Sequence, residues 1–322
     1  MKDRLLTLLK VAVSLGLIAY ICTRPTILGA DWGSILSKIR PGPWLLALAA
    51  YSASIGLNVL KWRCLLRTLG VHVPYRSLFR HNLVGLFFAN LPLSMIGGDI
   101  ARGWDLARSN PGQSTQVAVS VLMDRLVGMA AFLTAAAAGL AYAVAGLGRS
   151  ELGWLLTTTA AILAAFVLVV CVLLSQRLRR LTQGLFQPKP LRRFLPLYLR
   201  LSDSVQLYRT NARSVLVAYG LGLATVAGTC VVNYLGAITV GADVPLVWVL
   251  ILTPLTPFAL YIPSIASGLG VNQAVFVALY HNLTGLIPQP EALAWSLAMQ
   301  VIIYLASLPG AVLWWRRRET RR

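Results

Sequence analysis

A single stretch, Leu78 to Arg108 (LFRHNLVGLFFANLPLSMIGGDIARGWDLAR), limits most of what this chain can fold into. It opens as an apolar helix, breaks at Leu91-Pro92 and Gly97-Gly98, and resumes as a helix carrying Asp99, Arg102, Asp105 and Arg108. As one span it would set Pro92 and two glycines at the lipid midplane, and neither half alone has the ~20 apolar residues that a crossing needs. The stretch therefore reads as two half-helices meeting at a polar elbow. Lipid cannot hydrogen-bond free N–H and C=O groups, so such an elbow has to be buried in protein or face a water-filled cavity. Many transporters place their substrate site there.

The rest of the chain fits that environment. Of its 322 residues, 57% are hydrophobic and only 12% charged, and the apolar residues fall in long runs, which excludes an ordinary soluble domain. The net charge of +19 would suit nucleic acid, but the Lys and Arg cluster in short segments between apolar runs. That is the bias of cytoplasmic loops, and anionic lipid rather than nucleic acid is the expected neighbour. Cys22, Cys64, Cys171 and Cys230 stand singly with no metal-ligand or disulfide spacing, so neither a metal nor a cofactor is expected. No GxSxG, HExxH or phosphate-loop motif is present, and no catalytic residue is assigned.

Six full spans are expected: Leu5 to Cys22, Trp44 to Leu60, Gln116 to Ala143, Trp154 to Leu174, Val215 to Ala237 and Ala292 to Trp315. Thr23 to Pro43 reads as an interfacial amphipathic segment, and Lys61-Trp62-Arg63 as an interface anchor closing the second span. Ser175 to Ser214 is a basic cytoplasmic segment with faces suited to the membrane surface. A second broken element runs from Pro245 to Ile262, through Pro263-Ser264 and Gly268-Leu269-Gly270, to Val271 to Ile287. With both termini cytoplasmic, 23 of the 29 Lys and Arg lie in inner segments and four in outer ones.

An offset of 171 residues lays Leu91-Pro92 over Ile262-Pro263, Gly97 over Gly268, the second span over the fifth and the third over the sixth. The expectation is an all-α polytopic membrane protein with six full transmembrane helices, two re-entrant broken hairpins and an inverted 3+3 repeat. Repeat one is 1–145 and repeat two 146–322, within a single membrane domain.

Ionisable residues at membrane depth are costly, so Asp99, Arg102, Asp124 and Arg125 are the leading candidates for a substrate site. Asn90, Ser94, Gly97, Gly98, Asn272 and Gln273 join them at the two elbows. Plainer roles stand beside these. Asp99 suits a helix N-cap at Gly98-Asp99, and Asp99, Arg102, Asp105 and Arg108 suit an i,i+3 ladder. Asn90, Asn272 and Gln273 suit backbone groups left open at the elbows, and His81 and His281 suit the interface.

The string Leu91-Pro92, Ser94, Gly97-Gly98-Asp99, Arg102, Leu106, Arg108, with Asp124-Arg125-Leu126, Gly128, Pro263, Ser264, Gly268 and Gly270, resembles the lysylphosphatidylglycerol synthase transmembrane (flippase-like) family over essentially the whole chain. In its longer members this region precedes a soluble domain that transfers lysine from tRNA to phosphatidylglycerol, and it is held to move the product to the outer leaflet. No such domain follows Arg322, so the resemblance implies binding and translocation of an anionic phospholipid or isoprenoid-type lipid in a bacterial-type inner membrane. The alternative is a membrane enzyme or enzyme subunit of lipid modification. Membrane lipids are the expected partners, with a cytoplasmic enzyme on the basic inner surface or a second copy of the chain as further candidates. The family often carries Arg-Glu after the second Gly-x-Gly-Val, where this chain has Asn272-Gln273.

Overall fold

The computed structural model describes residues 23, 27, 29–90, 95–173, 175, 195–259 and 269–319. The described residues form helices and no strand. A short α1 (Trp32–Ser37), capped by the Asp31 carboxylate accepting the Ser34 N–H at 3.1 Å, leads into α2 (Pro41–Thr68). The first broken element is α3 (Tyr75–Ala89) followed by α4 (Met95–Ser109). Then come α5 (Ser114–Ala145), α6 (Gly153–Leu173), α7 (Leu195–Thr210) and α8 (Ala212–Thr239). The second broken element is α9 (Leu246–Leu252) with a 3-10 turn and α10 (Thr256–Ala259), then α11 (Val271–Phe276) running into a π-helical stretch, Val277–Leu283. Last is α12 (Gln289–Glu319).

Among the described residues, five helices are long and apolar enough to cross a membrane, and they match the second to sixth expected spans. The chain is a multi-pass helical membrane protein. The expected first span, the elbow residues 91–94 and 260–268, and residues 176–194 of the basic segment lie outside the described residues. The 171-residue offset recurs in the helix boundaries. It separates both ends of α2 from those of α8, and the start of α3 from that of α9.

Two expected boundaries moved. The chain re-enters helix at Met95, not at Gly98-Asp99, so Asp99 lies inside α4 and is not its N-cap. Helix α2 runs two turns past Leu60 to Thr68, and at 28 residues, ~42 Å, it outreaches the ~30 Å of hydrocarbon.

The chain forms two compact units, residues 1–56, 79–102 and 225–322, and residues 57–78 and 103–224. In the first, both broken elements pack on α12 at different heights. Near its start, Trp295 meets Phe276 and Tyr280 with ring centroids 5.2 and 4.5 Å apart. Near its end, Phe88 meets Trp314 edge to face at 5.5 Å. There is no room for a side chain at Gly310, where a Cβ would stand 2.1 Å from the Leu83 carbonyl oxygen. The first unit also holds the crossing of α3 with α4. A Cβ on Gly98 would fall 2.5 Å from the Gly85 oxygen, and one on Gly85 would fall 2.8 Å from the Gly98 oxygen. Gly98 is thus present for close approach of two backbones and not as a helix breaker.

In the second unit, α5 turns the stripe Val117, Ser120, Asp124, Val127 and Ala131 inward at helical spacing. Helix α6 exposes Trp154, Ile162, Val167, Leu168 and Val169, an apolar surface suited to lipid.

Gly98→Ala is expected to cost about 1–3 kcal/mol, since a methyl group forced against backbone cannot be relieved by a rotamer change. Gly220→Ala, with nothing within 4 Å of the added Cβ, is expected to be neutral or to stabilise by up to ~1 kcal/mol. Thermal melting of the detergent-solubilised protein checks both. Equal midpoints for the two variants would refute the close-approach argument.

Candidate functional site

Among the described residues, two ion pairs are withdrawn from solvent, one in each unit. In the first, the break after Ala89 lets α4 turn back beside α3, and the Gly85–Gly98 crossing brings Asn82 on α3 to Arg102 on α4. Arg102 is 5% exposed. Its Nε donates to Asp99 Oδ1 at 2.9 Å, its Nη2 lies 2.8 Å from the same oxygen, and its Nη1 donates to Asn82 Oδ1 at 3.3 Å. The i,i+3 spacing of Asp99 and Arg102 on one helix makes the pair local. Asn82 extends it, a partner that sequence reasoning missed. The guanidinium fork that holds this carboxylate matches phosphate in the same way.

In the second unit, Asp124 pairs with Lys61, and their side chains are 3% and 5% exposed. Lys61 Nζ meets Asp124 Oδ1 at 3.2 Å as an ion pair and donates a hydrogen bond to the Asp124 backbone oxygen, also at 3.2 Å. Gly128 leaves space for the ammonium, since a Cβ there would stand 3.2 Å from Nζ. Next to the pair, the fully buried Trp62 donates from Nε1 to Ser120 Oγ at 3.0 Å, and Ser120 donates on to the Val117 oxygen at 2.7 Å. Lys61 and Trp62 are therefore interior groups and not interface anchors. The extra turns of α2 carry them past the expected end of the span while keeping them against α5. The signal available was register, because Lys61, Leu65 and Thr68 share a face once α2 is allowed to continue.

Tyr208 on α7 donates its hydroxyl to the Leu65 oxygen at 3.0 Å. Burial pushes its phenol up from the usual range, and the Asp124 charge adds to the effect. The hydroxyl consequently stays a donor, and it ties the amphipathic segment to the span beneath it.

The remaining expected residues divide. Arg125 is half-buried on α5, and Asn90 is half-buried in the turn that ends α3. Gly97 is half-buried and Gly98 buried, while Ser94 lies outside the described residues. Asn272 and Gln273 are both buried in the first turn of α11. Gly270 has φ +86°, which favours glycine, and its N–H donates to Gln273 Oε1 at 2.7 Å. Gln273 thus closes the backbone at the second elbow. Its Nε2 is buried without a partner among the described residues, and so is Trp295 Nε1 in the same unit. Of the histidines, His81 is buried, contrary to an interface position. Through Nδ1, His281 is 3.0 Å from the Ile287 oxygen and fixes the turn after the π-helical stretch. No group of His, Cys, Asp and Glu that could hold a metal occurs among the described residues.

The family defined by the lysylphosphatidylglycerol synthase TM region matches residues 7–310, which takes in both broken elements and both ion pairs. The chain belongs to that family. The resemblance read from the GGD and DR-L-x-G elements is thereby borne out over nearly the full length. No curated protein matches the chain. In this member of the lysylphosphatidylglycerol synthase transmembrane family, the family string places Asp99 and Arg102 in one buried pair and gives Asp124 to Lys61.

Removing one partner of the Lys61–Asp124 pair leaves a buried charge unanswered. Lys61→Met or Asp124→Leu alone is expected to cost about 3–5 kcal/mol, and the double variant to recover most of the loss. A double-variant cycle on melting midpoints checks this. Single variants as stable as the parent would place the pair in water.

Proposed function

We propose that the protein binds an anionic lipid by its phosphate and carries the headgroup across the membrane. The observation that carries this reading is the buried Asp99–Arg102–Asn82 cluster at a broken hairpin. An unpaired Arg at membrane depth is costly, and Asp99 keeps the site folded while empty. An arriving phosphate can take guanidinium donors from Asp99, whose carboxylate, 15% exposed against 6% for Arg102, is the partner able to turn to water. The buried donors Gln273 Nε2 and Trp295 Nε1 in the same unit support it, because donors held from water without an acceptor are rare.

The recurring 171-residue offset and the attachment of the two broken elements near opposite ends of α12 support opposed hairpins of an inverted repeat. The charge distribution supports an inner-membrane setting with both termini on the cytoplasmic side.

The test is reconstitution into vesicles with fluorescent phosphatidylglycerol, following the label that becomes accessible to a membrane-impermeant quencher. The intact protein is expected to move label between leaflets, and Arg102→Ala to slow it at least about tenfold, the worth of one charge-assisted hydrogen bond. Vesicles with the intact protein that behave as protein-free vesicles would overturn the reading.

A further inference from the structure

We infer that the second unit carries a separate binding pocket for the phosphate of an anionic phospholipid, between the end of α2 and the start of α8. A cavity of about 470 Å³ opens there, lined by Arg63 and Arg67 from α2 and by Asn211 and Ser214 from the turn into α8. The two arginines stand one helical turn apart and point the same way. Neither is paired with a carboxylate among the described residues, and Arg63 Nε is buried without an acceptor. Cys64 Sγ, lying 3.4 Å from the Ser214 oxygen, joins the two helices at the cavity wall.

The cavity is also graded. Leu60 and Leu221 line it as well, each seven residues further into its span than Arg67 and Ser214 respectively, about 10 Å along a helix axis. A cationic, hydrogen-bonding mouth at the helix ends and an apolar depth along the spans fit an amphiphile. A phosphodiester sits between the guanidinia and the Ser214 hydroxyl, while the Asn211 amide, which donates to the Leu207 oxygen at 2.9 Å, shapes the wall, and the first acyl carbons lie over the leucines. A soluble phosphate ester would use only the mouth. Positive charge at the membrane surface attracts anionic lipid in general, but a guanidinium Nε buried without an acceptor needs one particular oxygen.

The experiment is native mass spectrometry of the full chain in detergent, titrated with short-chain phosphatidylglycerol and, in parallel, with glycerol phosphate. The parent protein and Asp99→Asn are expected to hold one lipid equivalent that Arg63→Gln and Arg67→Gln each weaken about tenfold. Glycerol phosphate is expected to displace it poorly. Arg67 is exposed, so Arg67→Gln keeps the test open if Arg63→Gln does not fold. Arginine variants that retain the lipid as the parent does would overturn the pocket, and glycerol phosphate binding as tightly as the lipid would overturn its assignment to a lipid. Because Asp99→Asn leaves this equivalent in place, the pocket and the translocation reading fail independently.

Discussion

Charge placed in hydrocarbon has to be answered nearby, and that constraint organises what surrounds it here. Arg102 is answered by Asp99 one turn away and by Asn82 across a helix crossing, and Asp124 is answered by Lys61. The two solutions differ in kind. The Lys61–Asp124 pair has Trp62 and Ser120 hydrogen-bonded beside it and glycine making room for the ammonium. The Arg102 cluster lies beside a break in the chain. Its carboxylate partner is the more accessible of the two, with Asp99 at 15% against 3% for Asp124, and its outermost donor rests on a neutral amide.

Glycine makes such arrangements possible. The guanidinium of Arg102 reaches Asn82 only because α3 and α4 touch backbone to backbone at Gly85 and Gly98. In lipid, helix association gains little from burying apolar groups, since the tails are as apolar as the side chains. Close packing and polar contacts have to supply it. The seat of Gly310 on α3 and the Trp295, Phe276 and Tyr280 cluster hold the two broken elements to α12 by the same means.

Buried polar atoms are satisfied in different ways. Ser54, Ser120, Thr134 and Thr229 return their hydroxyls to their own helices, which satisfies the donor without a second helix. Gln273 Nε2, Trp295 Nε1 and Arg63 Nε are among the buried polar atoms that find no such return.

By itself, the sequence determined the membrane class, five of the described spans and the family, because apolar runs and the GGD string are local signals whose meaning lipid leaves little room to change. It also singled out Asp99, Arg102 and Asp124 from the cost of burying charge. The partners came only from the tertiary structure. Lys61 looked like a surface anchor, since the end of a span is read from where polar residues begin, and a helix that continues beyond the hydrocarbon hides that end. Asn82 gave no signal, because one amide among apolar residues acquires a role only when a crossing places an arginine in front of it. Gly98 looked like a break for a similar reason: a residue without a side chain permits a turn and a close contact alike, and which of the two it serves depends on the helix lying against it.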